Sequence, residues 1–151
     1  SIRFLAREPA KAGKLHSIAV RMDPSIPVGA TLSMQAGSAA QVLLAWEEPD
    51  RLHRGLQGSK FTATMLSGVR RRGWAQSVSE REQGVASVSA PVRSPSGRVI
   101  AAVSISGPVE RVSRQPGRLH AATVVAGANK LTEVLARAAA QQKSVAPPTT
   151  R

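Results

Sequence analysis

The sequence predicts an α+β domain, an antiparallel sheet flanked by helices. Residues 84–93 and 98–106 are two strand-like runs joined by Ser94-Pro95-Ser96-Gly97, which is turn chemistry between paired strands. Near the end, Ala121, Val124, Val125, Ala128, Leu131 and Leu135 recur at the i, i+3, i+4, i+7 spacing of a one-sided amphipathic helix. Read in order, the elements are strands, helices, a strand hairpin and a closing helix, the arrangement of an α+β chain.

The first strand rests on Ile2, Phe4 and Ala6, which alternate with polar residues. A polar turn at 8–14, with Pro9 and Gly13, separates it from a second alternating run of Ile18, Val20 and Met22, which stops at Asp23-Pro24. These two runs are suited to pair as an antiparallel hairpin. Prolines then forbid regular structure over 24–29. The apolar run SAAQVLLAW (38–46) reads as a buried helix with Ser38 near its N-cap. Pro49-Asp50 opens a turn or short helix. A further helix spans about 62–72, with Met65, Leu66 and Val69 inward and Gly73 as its stop. Three arginines in its last turn complement the helix dipole.

In the central hairpin, setting Ser94 opposite Gly97 brings Val88 to Val103, Ala90 to Ala101 and Val92 to Val99 on one face. The other face then pairs Ser87 with Ser104, with Ser89 and Ser106 alongside. A one-residue slip would scramble both faces. After Gly107-Pro108, a loop containing Pro116 and Gly117 leads to the last helix. Beyond Ala140 the tail has no means of packing and is expected to be disordered. The division is therefore one domain over 1–140 and a tail over 141–151.

At 151 residues the chain is long enough for one domain with a real core. Apolar residues make up 42% but aromatics only 3%, so Val, Leu, Ile and Ala must build that core. The absence of cysteine excludes disulfides and thiolate metal sites. No apolar run reaches the length of a membrane span, and no signal-peptide pattern opens the chain. Because the first residues already read as a strand, the chain is expected to be part of a longer protein. With 21 Lys+Arg against 9 Asp+Glu the formal charge is +12, which points to a polyanion. Except at Arg70-Arg71-Arg72 the charge is dispersed, however, and few aromatics are present for bases to stack on.

Catalytic patterns are missing. His16, His53 and His120 lie far apart, without metal-ligand spacing. No G-x-S-x-G elbow and no glycine-rich phosphate loop occurs. Glu80 and Glu82 flank Arg81 in a turn and read as solvated. The sequence therefore predicts no enzyme, no metal and no cofactor. The serine face admits two readings. It is either the solvent side of a half-buried sheet or, because Ser87, Ser89, Ala102, Ser104 and Ser106 are all small, the floor of a pocket whose hydroxyls donate and accept. Likewise Gln35-Ala36-Gly37-Ser38 either caps the 38–46 helix or presents its N–H groups to a ligand oxygen.

Two stretches bring a resemblance. RGWAQSVSEREQGVASVSAPVRSPSGRVIAAVSISGP (72–108) resembles the effector-domain signature of the IclR family of bacterial transcriptional regulators: an RG-aromatic-A segment, an acidic stretch, a GV…APV run and a closing S-x-SGP. VGATLSMQAGSAAQVLLAW (28–46) is similar to a second family stretch, and the likeness extends over about 18–135. The resemblance implies a GAF/profilin-like domain that binds a small organic effector metabolite in a pocket on one sheet face. It implies homo-oligomers, dimers or tetramers, in the cytoplasm and away from membranes. It also implies contact with operator DNA only through a separate N-terminal helix-turn-helix domain that this chain lacks. In that frame Ala36 and Gly37 offer N–H groups to the ligand, and Leu32 and Met34 form apolar wall. Ser77 stands where many members carry Asp, Ser87 where many carry Cys, and Ser104 and Ser106 match the serines before Gly-Pro. The expected pocket is neutral and hydroxyl-rich. The alternative is a degenerate pocket in a domain that only oligomerises.

Overall fold

The computed structural model describes residues 2–7, 14–19 and 31–145. Six strands, β1 (Ile2–Arg7), β2 (Lys14–Ala19), β3 (Thr31–Ser33), β4 (Ala75–Val78), β5 (Val85–Arg93) and β6 (Val99–Pro108), form one sheet. Their order is β3-β2-β1-β6-β5-β4, and every neighbouring pair is antiparallel. The first two strands do pair as a hairpin, with Arg3 opposite Ala19, although β2 already begins at Lys14. Of the expected turn over 8–14, Lys14 belongs to β2, while 8–13, the irregular stretch over 24–29 and the tail past 145 lie outside the described residues. β3 and β4, of three and four residues, are too short to show an alternation and were not expected.

One face of the sheet carries α1 (Ser38–Ala45), with α2 (Pro49–Leu56) and α3 (Ala63–Arg72) beyond it; the other carries the long α5 (Pro116–Val145). The single turn α4 (Val109–Val112) links β6 to α5. Each face has its own core. Val42, Leu43, Leu44, Phe61, Leu66 and Val69 pack on the α1 side, with Ala75 and Ala102 from the sheet. Val88, Ala90, Val92, Ala101 and Val103 meet Val124 and Ala128 of α5 on the other. Successive residues of a strand point to opposite faces, so Ala102 serves one core and its neighbours Ala101 and Val103 the other.

The hairpin faces agree with the sequence pattern, but the register does not. Val88 lies opposite Ile105, Ala90 opposite Val103, Ser89 opposite Ser104 and Ser87 opposite Ser106. Two local features shift it. Gly97 adopts φ 86°, and Ser94 N–H donates to Arg98 O at 2.8 Å, so the loop has three residues, not two. A bulge then separates the Arg93–Val99 pair from the Val92–Ala101 pair, leaving Ile100 as the extra residue. Together they move the pairing by two residues, which preserves each face. Val99, expected beside Val92, is turned by the bulge toward the α1 core.

In α3, the Thr62 hydroxyl accepts from Met65 N–H at 3.2 Å as an N-cap, and Gly73 closes the helix at φ 82°. Leu66 and Val69 are fully buried as expected, but Met65 is exposed because the buried stripe runs 66, 68, 69. The last helix starts earlier and ends later than expected. Pro116, expected in a loop, opens α5, where its missing N–H costs nothing. The helix continues past Ala140 to Val145 through an Ala- and Gln-rich segment of strong helix formers, without a buried stripe to mark it.

Candidate functional site

The serine face is neither open to solvent nor simply a pocket floor, because α1 lies directly on it. All eight residues of α1 are buried. Small side chains on both surfaces, Ser38, Ala39 and Ala40 above and Ser89, Ala102 and Ser104 below, let helix and sheet approach closely. Ser38 is the first helical residue; the N-cap is Gly37, at φ 94° and with no side chain to cap the helix. The Ser38 hydroxyl therefore points onto the sheet. It lies 2.6 Å from Ser87 Oγ and 2.7 Å from Ser89 Oγ. The series continues from Ser87 to Ser77 at 2.8 Å and from Ser89 to Ser104 at 2.5 Å. Five hydroxyls thus form one chain across the interface between α1 and the sheet.

At the N-terminal end of α1 the packing leaves a cavity of ≈ 60 Å³. Of the residues expected to form a site, Leu32, Gly37, Ser77, Ser87, Ser104 and Ser106 line it. Met34 packs into the α1 core instead. Ala36 sits at the rim, where its carbonyl accepts from the Arg81 guanidinium. Sequence reasoning missed Ser38, Ala39, Arg81, Glu82 and Val85, which also line the cavity. Ser38 had the sequence signature of a cap, and the charged residues that of a surface turn. One hydroxyl stands out: Ser106 is 7% exposed, and its Oγ is buried without a hydrogen-bond partner.

The segment over 79–84 borders the cavity through Arg81 and Glu82. Ser79, at φ 55°, donates its N–H to Val85 O at 2.9 Å, while its hydroxyl accepts from Gly84 N–H at 3.0 Å. Glu80 Oε2 accepts the Gly37 N–H at 3.0 Å, and the buried Gln41 amide reaches both Glu80 oxygens at 3.4 Å and Gln76 O at 3.1 Å. Arg81 Nη2 donates to Ser33 O at 2.7 Å, and Lys60 Nζ donates to Glu80 O. Glu80, expected in solvent, is thus docked on α1, and the expected neutral pocket has a charged rim.

The arginine run has structural partners. Arg70 Nη1 donates to Ala45 O at 2.7 Å, tying α3 to the end of α1. Arg72 lies 4.7 Å over the Trp74 ring, with its Nε donating to Trp74 O at 2.9 Å. Burial, and then the neighbouring Arg71, lower its pKa from the usual guanidinium range. Among the described residues, no three His, Asp or Glu side chains come together as a metal would require.

Residues 13–133 match the family model for the bacterial transcriptional regulator IclR C-terminal region. The chain belongs to the IclR family. It is 34% identical over 113 residues to the HTH-type transcriptional regulator XynR of Escherichia coli K12, covering 66% of this chain and 43% of that protein. It is 32% identical over 127 residues to the glycerol operon regulatory protein of Streptomyces griseus, covering 70% and 50%. This IclR-family chain spans half or less of the length of the curated relatives it matches. They are named as regulators, in a family that is not enzymatic. Among solved structures, the C-terminal domain of E. coli KdgR superposes with a TM-score of 0.72 at 24% identity, over 89% of this chain and 87% of that one. The Agobacterium tumefaciens repressor BlcR gives 0.76 at 20% identity, over 89% and 59%. These likenesses establish the α+β fold of IclR C-terminal domains. No described helix is long and apolar enough to cross a membrane.

Proposed function

We propose that this domain senses a small organic effector in the cavity between α1 and the serine face, and passes its occupancy to operator DNA through a separate helix-turn-helix domain. In this reading residues 1–140 form the effector-binding unit, which works in the cytoplasm as a homo-oligomer. Leu32, Gly37, Ser77, Ser87, Ser104 and Ser106 contact the ligand, together with Ser38 and Ala39, which line the same cavity. A domain of similar fold supports it: a double mutant of the Acinetobacter PobR inducer binding domain, at a TM-score of 0.72 and 20% identity, is solved as a complex with 3-hydroxybenzoic acid.

Ser106 carries the proposal. A buried hydroxyl without a partner costs about 1–3 kcal/mol, and this one lies on the wall of a cavity that a ligand would fill. Size limits the occupant. A cavity needs about 10–15 Å³ per water, and one that holds benzene measures about 150 Å³. At ≈ 60 Å³ the site holds a ligand of a few heavy atoms unless α1 or the 79–84 segment moves.

Ser106→Ala separates function from stability. Removing an unsatisfied hydroxyl should leave the fold at least as stable, with a gain of about 1 kcal/mol and a Tm higher by about 2–4 °C. Effectors found by a thermal-shift screen of small metabolites should bind the variant about tenfold more weakly, since one hydrogen bond is lost. A domain kept only for oligomerisation would show the stability gain with no ligand response in either protein.

A further inference from the structure

We infer that the cavity selects a small neutral ligand carrying its own O–H or N–H donors, and that Glu80 is the residue that excludes carboxylates; this rests on the effector-site reading above. The first argument is a count of protons. The five hydroxyls of Ser77, Ser87, Ser38, Ser89 and Ser104 share four hydrogen bonds, which consume four of their five protons. One O–H of the five is left over, and Ser106 adds one more. Each hydroxyl oxygen has two lone pairs, so the serine side chains of the wall offer more acceptors than donors. A carboxylate only accepts and has about four lone-pair sites to satisfy. An alcohol or amide can donate into the wall.

The second argument is electrostatic. An exposed helix N-terminus carries roughly half a positive charge, and at α1 this would ordinarily attract an anion. The Glu80 carboxylate already sits there, 3.0 Å from Gly37 N, and brings a full negative charge. The end of α1 is thereby overcompensated, and a second carboxylate would meet a like charge in a partly buried setting. The neighbouring cations do not reverse this. Arg81, held beside Gly37 by the carbonyls of Ser33 and Ala36, shares the rim with Glu82, whose opposite formal charge offsets it. Lys60 is exposed and lies on the outer side of the segment, at Glu80 O, where salt screens it.

Glycolamide and glycolate have the same heavy-atom count and differ mainly in charge and donors, so together they test the inference. Each is titrated at neutral pH into the full chain and into Glu80→Gln, following the Gly37 and Ser106 amides by ¹⁵N NMR. Wild type should bind glycolamide about tenfold more tightly than glycolate. Glu80→Gln keeps an acceptor for the Gly37 N–H and should bring the two within about threefold of each other, by gaining glycolate affinity. Glu133→Gln, exposed on α5 across the sheet from the cavity, should leave the wild-type ratio in place. If wild type takes glycolate as tightly as glycolamide, Glu80 yields to anions and the inference is wrong; the wild-type ratio decides this even where the variant folds poorly. A ratio that Glu80→Gln leaves unchanged removes Glu80 as its cause. If neither probe moves either amide in any of the proteins, the effector-site reading falls and the selectivity with it.

Discussion

Val103→Asp should leave the domain unfolded at ordinary temperature. Val103 is 7% exposed, opposite Ala90, on the sheet face that packs against Val124 and Ala128 of α5. The described side chains that pack there are hydrophobic, so an aspartate is buried either as an unpaired charge or as a protonated acid at the cost of a pKa shift. The lost valine packing adds to this. The sum, above about 4 kcal/mol, is comparable to the whole stability of many domains. Circular dichroism and urea titration would read it directly. Val103→Ala supplies the scale: it should fold, with a loss of about 2 kcal/mol from the cavity it leaves. A folded, cooperatively melting Val103→Asp would mean that the α5 side is not a closed core.

Gly117→Ala should destabilise the domain by about 3 kcal/mol, although helix propensity alone predicts a gain of roughly 0.5–1 kcal/mol from the same change. The opposite signs make the measurement decisive. A β-carbon at this position would fall 2.1 Å from the Trp74 ring and 2.8 Å from Gln76 Oε1. An indole ring stacked under Arg72 has no flexible end to move aside. The contact matters because the first turn of α5 is docked there: Gly117 N–H donates to Gln76 Oε1 at 2.9 Å. Gln76 is thus a joint between layers, since its main-chain carbonyl also accepts from Gln41 of α1. Trp74→Leu should relieve the clash, so the double variant should be more stable than the sum of the single losses by at least about 1 kcal/mol. A gain in melting temperature for Gly117→Ala would show that Trp74 does not hold the start of α5.

What could be read locally was read well. Val88, Ala90 and Val92 were placed on one face and Ser87 and Ser89 on the other by a period of two that needs no partner to be visible. The buried side of α5 followed in the same way from a period near 3.6. Register was a different matter. A slip of two residues leaves every side chain on its own face, so periodicity cannot detect it. The shift came from the conformation of Gly97 and from Ile100, which bulges out between paired neighbours. Likewise the serine stripe was legible, but its cover was not. Ser38 lies 49 and 51 residues from Ser87 and Ser89, and no local pattern states which helix will lie on which face.

The sequence by itself determined the α+β class, the two faces of the central hairpin, the family, and a stripe of small hydroxyl residues able to serve a ligand. Only the tertiary structure decided that α1 covers that stripe, that four of its hydroxyls and Ser38 satisfy one another, and that Ser106 is left over. It also decided the place of Glu80, which reads as a surface residue among Arg81, Glu82 and Gln83 and yet docks on Gly37. The physical reason is range. Alternation and amphipathic spacing are properties of one element and its solvent, written in consecutive residues. Closure of a cavity depends on where separate elements meet, and for Gly37 and Glu80 that meeting spans 43 residues of chain.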